Sequence, residues 1–75
     1  MSKQQTRLLQ YLTNHRGITQ AEAYEALGCL RLSERIRELV RMGYRIGKTW
    51  ETGQNRHGER VRYMRYYLEV RHDGA

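Results

Sequence analysis

The stretch ITQAEAYEALGCLRLSERIRELVRMG, residues 18–43, predicts two short helices separated by a tight turn. Thr19 is followed three residues later by Glu22, which is the capping-box pattern of a helix start. This pattern and the alanines within it predict a helix over about 20–27. Gly28 ends that helix, because glycine tolerates the positive φ at which helices commonly stop.

The second helix of this stretch is predicted over about 31–42 and is amphipathic. Its apolar stripe has the spacing of one helix side and consists of Leu32, Ile36, Leu39 and Val40. Gly43 ends the helix. The opposite side is polar and includes Arg31, Ser33, Glu34, Arg35, Arg37, Glu38 and Arg41. Such a helix docks on a core by one side and offers the other side to solvent or to a partner.

The rest of the chain predicts a helix before this stretch and a β-hairpin after it. Apolar residues recur at helical spacing over about 2–14, with Ser2 as the N-cap. Polar and apolar residues alternate over 44–51 and over 60–70, which predicts two strands. A polar loop with two glycines lies between them, so the two strands are predicted to form a β-hairpin.

The hairpin is predicted to complete the core, since three helices alone would bury little apolar surface. Trp50 and Leu68, on the apolar side of the hairpin, are expected to close the open edge of the helices. Tyr11 and Tyr24 are expected in the core or at its edge. The predicted fold class is therefore α+β, mostly α, with three helices followed by a hairpin.

Length and charge narrow the possible functions. At 75 residues the chain is expected to form a single domain over 1–75, with its core at about 3–70 and a tail at 71–75. The formal net charge is +6, and most of the excess follows residue 30, where eleven basic side chains accompany six acidic ones. A basic surface concentrated in part of a small domain favours a polyanionic partner. Nucleic acid is favoured over an anionic membrane or a merely solvated face.

Nothing in the sequence indicates an enzyme, a metal site or a membrane segment. The single cysteine, Cys29, can form neither an intramolecular disulfide nor a zinc site alone, which suits a reducing compartment. No apolar run approaches the length of a membrane span, and the polar N-terminus is unlike a signal peptide. We therefore expect a cytoplasmic, non-enzymatic protein with no cofactor, no metal, no membrane contact and no small-molecule substrate.

Two short helices joined by a glycine-containing turn form the helix-turn-helix unit, whose second helix enters the major groove of DNA. The chain also resembles a family of small winged helix-turn-helix proteins that are common in bacteriophages and prophages. Its most characteristic part is the pattern R-L-x-x-R-I-x-x-L at 31–39, followed by G-Y-x-I at 43–46. The resemblance covers about residues 5–68. It implies a winged helix fold and binding to double-stranded DNA by a phage-encoded regulator or excisionase-like factor.

The exposed side of the recognition helix, at about 31–42, is predicted to read bases through Arg31, Ser33, Glu34 and Arg37. Arginine donates in bidentate fashion to guanine, and glutamate accepts from cytosine. Contacts to the DNA backbone are predicted for Thr19, Gln20, Arg41, Lys48, Arg56 and Arg60. The wing, at about 52–60, is predicted to reach the backbone or the minor groove, with further contacts from Gln54, Asn55 and His57. Arg35 either has a structural role or reads DNA.

Three questions stay open: the alternative function, the role of the clustered tyrosines and self-association. The basic surface could belong to a phage protein-binding module that inhibits a host or defence enzyme. Tyr63, Tyr66 and Tyr67 are interleaved with arginines and either stack single-stranded bases or belong to the core, which the pattern favours. A single module has a small footprint on DNA, so high specificity requires self-association or adjacent copies. The tyrosine side of the last strand is the candidate contact between copies.

Overall fold

The structure, a computed structural model, describes residues 2–69. Its elements are α1 (Lys3–Asn14), β1 (Ile18–Thr19), α2 (Gln20–Leu27), α3 (Leu32–Arg41), β2 (Ile46–Gln54) and β3 (Arg60–Leu68). The predicted α+β class and the order of three helices followed by a hairpin are confirmed. Val70, predicted as the end of the last strand, and the predicted tail at 71–75 lie outside the described residues.

Helix α1 begins at the predicted N-cap. The Ser2 hydroxyl accepts a hydrogen bond from the Gln5 N–H, and the Gln5 side chain accepts one from the Ser2 N–H. These two bonds form a capping box, which satisfies two backbone donors that the helix leaves unpaired. Leu8 and Leu12 lie one turn apart on the same side of the helix and are buried.

Helix α2 has the predicted bounds because the signals at both of its ends are local. The Thr19 hydroxyl accepts from the Glu22 N–H, and the Glu22 carboxylate accepts from the Thr19 N–H. At the other end Gly28 adopts φ +66°, and its N–H donates to the Tyr24 carbonyl. The chain then passes through Cys29, which is buried in the core, into α3.

One core joins the three helices to the base of the hairpin. Its buried members are Leu8, Leu12, Ile18, Ala23, Cys29, Leu32, Ile36 and Leu39. Partly buried residues that pack against them are Tyr11, Leu27, Tyr44, Ile46, Tyr66 and Leu68. The hairpin therefore closes the core, as predicted, and Leu68 takes part as predicted.

Two residues of the helices that were expected at the core are exposed. Val40 is 49% exposed, because each residue turns about 100° around a helix and Val40 follows the fully buried Leu39. Tyr24 is 59% exposed, since the neighbouring Ala23 occupies the buried position of α2. The apolar stripe of α3 is therefore narrower than predicted, and it consists of Leu32, Ile36 and Leu39.

A two-residue strand that the sequence analysis does not predict ties the helices to the hairpin. β1 pairs antiparallel with β3, with Ile18 opposite Tyr66 and Thr19 opposite Arg65, so the sheet order is β1-β3-β2. Just before β1 a Cβ on Gly17 would lie 2.6 Å from the Tyr66 carbonyl oxygen and 2.9 Å from Arg65 Cγ. The φ of Gly17 is +149°, so both space and backbone conformation require glycine here.

The hairpin strands differ from the prediction in their bounds, because β2 spans Ile46–Gln54 where 44–51 is predicted and β3 spans Arg60–Leu68 where 60–70 is predicted. They pair from Ile46 opposite Leu68 out to Gln54 opposite Arg60. The connecting loop is therefore limited to residues 55–59, because β2 continues to Gln54, within the predicted wing at 52–60, while β3 begins at Arg60 as predicted. Nine residues of strand span about 30 Å.

Trp50 does not close the core, and that expectation is wrong. Trp50 pairs with Met64, four residues along β2 from Ile46, and its side chain is 58% exposed. The strands are longer than the helical core is wide, so only the end of the hairpin near Ile46 and Leu68 packs against the helices. The outer part of the hairpin projects beyond them.

Candidate nucleic-acid interface

The side chain of Gln20 fixes the spacing between α2 and α3. Its Nε2 donates to the Cys29 carbonyl at 2.8 Å, and its Oε1 accepts from the Leu32 N–H at 2.9 Å. One amide thus joins the first residue of α2 to the turn and to the first residue of α3. Gln20 and Thr19 are predicted as contacts to the DNA backbone. The Gln20 amide is instead used within the helix-turn-helix unit, and Thr19 is 5% exposed with its hydroxyl in the α2 cap.

Helix α3 turns the predicted base-reading residues to solvent. Ser33, Glu34 and Arg37 are exposed, and so is Arg41 near the end of the helix. Within residues 2–69 neither Arg37 nor Arg41 forms an ion pair. Arg31 lies just before the helix, where its carbonyl accepts the Glu34 N–H at 3.2 Å while its side chain is exposed. The four predicted base readers therefore lie close together, from just before α3 to its second turn.

Arg35 has a structural partner. Its Nη1 lies 3.2 Å from Glu38 Oε1, one turn further along α3, and both side chains are about one-third exposed. Gln5 of α1 donates its side-chain N–H to the same carboxylate oxygen. These contacts join α1 to α3, and they are the kind of contact that the structural role predicts for Arg35.

The two sides of the hairpin differ in charge. The register pairs even-numbered residues of β2 with even-numbered residues of β3, so the even residues share one side. That side contains Leu68, which packs against the core, and it therefore faces the helices. Within the two strands this side has no acidic residue. It has three cations, Lys48, Arg60 and Arg62, which we term the basic face. In the described part of the chain none of these three forms an ion pair.

The odd side of the hairpin is charge-compensated. Arg65 Nε donates to Glu51 at 2.8 Å, and its two terminal nitrogens donate to the two oxygens of Glu22 at 3.0 and 3.2 Å. The hydrogen bonds to Glu51 and Glu22 raise the pKa of Arg65 above its ordinary value. Burial alone would raise the pKa of Glu22, but hydrogen bonds from Arg65 and the Thr19 backbone outweigh it, and the net pKa is lowered. This cluster serves the fold.

Asn55 organises the loop at the tip of the hairpin. Its Oδ1 accepts from the N–H groups of His57 at 2.9 Å and Glu59 at 3.0 Å, and its Nδ2 donates to the Glu59 carboxylate. The predicted wing residue Asn55 therefore shapes the loop. The side chains of Arg56 and His57 are exposed at the tip, and Gln54 is exposed at the end of β2.

Sequence reasoning missed Arg62 and misplaced Trp50. The Arg62 guanidinium carbon lies 4.5 Å from the centroid of the Trp50 ring, in a cation–π contact between diagonal neighbours of the two strands. The alternation of the strand predicts that Lys48 and Trp50 lie on the same side as Ile46, because every second residue of a strand faces the same way. The length of the strand relative to the core decides which of these residues are buried, and that length is not a local property.

The three clustered tyrosines do not share a side of the hairpin. Tyr66 lies on the even side and packs against the core, whereas Tyr63 and Tyr67 lie on the odd side. A single stacking platform built from all three is therefore ruled out by the register. The core placement that the sequence favours holds for Tyr66.

An open groove of about 500 Å³ separates the helix-turn-helix unit from β3. It is lined by the first turn of α2, by Leu32 and Ser33 at the start of α3, and by residues 63–66 of β3. The groove adjoins the exposed start of the recognition helix, so the surface between α3 and the hairpin is concave.

The described part of the chain shows neither a cluster of metal ligands nor a membrane-spanning helix. Across residues 2–69, no three His, Cys, Asp or Glu side chains are grouped as metal ligands. In the same part of the chain, every helix is too short or too polar to cross a membrane.

Comparison with known proteins agrees with this geometry. A family model described as a winged helix-turn-helix domain matches residues 3–71. No curated protein and no solved structure shows significant similarity to the chain. The winged helix-turn-helix fold indicates DNA binding in general, and such domains are typically not enzymes. Since the match covers nearly the whole chain, the protein belongs to the winged helix-turn-helix domain family.

Proposed function

We propose that this protein binds double-stranded DNA, with α3 in the major groove and the hairpin against the adjoining backbone or minor groove. The major groove is about 12 Å wide and admits one α-helix. Helix α3 suits this position, because Leu32, Ile36 and Leu39 dock it on the core while its polar side is exposed. The open groove between the helix-turn-helix unit and β3 adjoins the exposed start of α3.

The observation that carries the proposal is the division of charge across the hairpin. Arg65 on the odd side is compensated by Glu22 and Glu51. The basic face has no such carboxylates, and its three cations lie on one side of the hairpin. Binding of these cations to phosphates releases the counterions condensed on DNA. Arg65 is used within the fold, whereas the three cations of the basic face lie together on one side of the hairpin and stay available to a polyanion.

The proposed contacts divide by position. Base edges are assigned to Arg31, Ser33, Glu34 and Arg37. Phosphates are assigned to Arg41, Lys48, Arg56, Arg60 and Arg62, with Gln54 and His57 beside them at the wing. Phosphate contacts fix the register of a protein on the duplex, and base contacts supply its sequence preference.

The biological role that the proposal favours is a transcription regulator or an excisionase-like factor of phage type in the bacterial cytoplasm. Its support is the resemblance of residues 31–46 to small phage and prophage proteins. A single module covers only about 600–1,000 Å² on DNA. A second copy on a neighbouring site would therefore supply the specificity that either role requires.

The test is the anisotropy of a labelled random-sequence duplex titrated with the protein across a salt series. We expect binding that weakens steeply with salt, because the logarithm of the affinity falls in proportion to the number of phosphates neutralised. Replacement of Lys48, Arg60 and Arg62 by glutamine should lower the slope by about 3. The matched control replaces Arg7 and Arg16, which are exposed on and after α1, by glutamine and should leave affinity nearly unchanged.

The proposal fails if the wild-type protein shows no duplex binding even at low salt. It also fails if the control substitutions weaken binding as much per charge as those on the basic face. The protein-inhibitor alternative would then be examined by capture of partners from nuclease-treated host lysate.

A further inference from the structure

We infer that Trp50, held under Arg62, packs against the deoxyribose–phosphate backbone of the bound duplex and contributes affinity that does not depend on salt. The inference rests on the proposed DNA binding. It adds an apolar contact, outside the loop of the wing, to a surface that otherwise binds by charge.

Position makes this tryptophan different from other exposed aromatic residues. Tyr24 is as exposed as Trp50, and single exposed aromatic side chains are common on proteins. Trp50, however, lies on the even side of the hairpin, the same side as Lys48 and Arg62. Its neighbour across the strand is Met64, which lines the open groove beside α3. The indole is therefore continuous with the basic face, whereas Tyr24 lies on α2, outside the strands that form this face.

The chemistry around Trp50 matches that of a nucleic-acid backbone. Lys48 precedes it by two residues on the same side of β2, and Arg62 lies diagonally across on β3. An apolar ring between two cations complements a chain in which apolar deoxyribose faces alternate with anionic phosphates. An acidic protein partner fits less well, because the even side offers a large flat apolar surface only at this single ring.

Arg62 prepares the indole for binding. The guanidinium carbon of Arg62 lies 4.5 Å from the centroid of the Trp50 ring, while Trp50 stays 58% exposed and available for a further contact. An aromatic side chain that is already held in place loses less conformational freedom when it binds. The same guanidinium presents donors beside the ring, where a phosphate next to a packed sugar would lie.

The test uses Trp50 as its own reporter, since it is the one tryptophan of the sequence. Addition of a fully paired random-sequence duplex should change the tryptophan emission in parallel with the anisotropy of the labelled DNA. Trp50→Ala should weaken affinity about tenfold, as truncation of a central aromatic contact does, without changing the salt slope. Arg62→Gln should instead lower that slope by about 1. Tyr24→Ala, the control of equal exposure, should stay within about twofold of wild type.

Each outcome separates this inference from the proposed function. Duplex binding with unchanged tryptophan emission, or wild-type affinity of Trp50→Ala, would overturn the inference and leave DNA binding intact. A marked preference for duplexes with an unpaired base, lost in Trp50→Ala, would also overturn it in favour of stacking on a base. Absence of duplex binding by the wild-type protein would remove the proposed function itself.

Discussion

The two terminal nitrogens of Arg65 bind the two carboxylate oxygens of Glu22, at 3.0 and 3.2 Å. Glu22 also accepts the Thr19 N–H in the α2 capping box. One carboxylate therefore stabilises the start of α2 and attaches it to the central strand of the sheet. Because Arg65 also binds Glu51 of β2, the helix-turn-helix unit and both strands of the hairpin meet at a single guanidinium.

Loss of the Arg65 side chain should destabilise the fold. We expect Arg65→Leu to lower the free energy of unfolding by about 1–2 kcal/mol, since it removes charge-assisted hydrogen bonds that are only partly screened by solvent. Chemical denaturation measures the change. Arg45→Leu is the matched control, because its pair with Glu69 is exposed and 3.7 Å long, and it should cost about 0.5 kcal/mol or less. Equal losses in the two variants would contradict a special role for Arg65.

The same cluster should make stability depend on acid. The pKa of Glu22 is lowered in the folded protein, so its contribution is fully present above the ordinary glutamate pKa and is lost as pH falls through the folded value. We expect the free energy of unfolding to decline below about pH 4.5. Glu22→Gln should be less stable at neutral pH and should show a shallower decline. Parallel pH profiles for the two proteins would refute this assignment.

Arg37 should supply sequence preference, if the proposed docking holds. Arg37→Ala is expected to cost about 1–3 kcal/mol on the preferred site and to relax preference at one base position. Selection from random duplexes, followed by titration of the selected sites, measures both effects. Arg7→Ala should change neither quantity. A loss of affinity that is equal on all sequences would instead assign Arg37 to a phosphate.

Gly17 should resist substitution more strongly than the glycine that ends α2. Gly17→Ala places a Cβ against the Tyr66 carbonyl, where backbone must move, and we expect a cost of about 2 kcal/mol or more. Gly28→Ala meets open space and suffers only from its φ of +66°, at a cost of about 1–2 kcal/mol. Thermal unfolding of the two variants compares them directly. A smaller loss for Gly17→Ala would show that β1 and β3 can separate at little cost.

Gln20 should matter for stability and not for the DNA contact itself. Gln20→Leu removes both hydrogen bonds that join α2 to the turn and to α3, which we expect to cost about 1–2 kcal/mol. At a temperature where the variant is folded, its affinity for the duplex should stay within about twofold of wild type. A large loss of affinity with unchanged stability would restore Gln20 as a backbone contact.

Much of this fold could be predicted from signals between residues that are close in the sequence. The features of the site that were not predicted depend on contacts between residues that are distant in the sequence. The bounds of α2 were correct because Thr19, Glu22 and Gly28 act on backbone groups within a few residues of themselves. The exposure of Trp50 depends on where the hairpin docks on the helices, and Arg65 pairs with Glu22 across 43 positions of the sequence, so no local window of sequence contains either relationship. The sequence analysis likewise predicts Gln20 as a contact to the DNA backbone and does not find its hydrogen bonds to Cys29 and Leu32, because these partners lie nine and twelve positions away.

Because of the Gln20 hydrogen bonds, the turn at 28–31 and the loop at 55–59 should differ in how well they tolerate insertions. A single amide spans the residues before and after the turn at 28–31, so an insertion there would pull its partners apart. The loop at 55–59 is held only by contacts within itself and can lengthen without disturbing the core. In the proposed binding mode, reach along DNA can therefore be altered at the tip of the hairpin, while the position of α3 relative to α2 stays fixed.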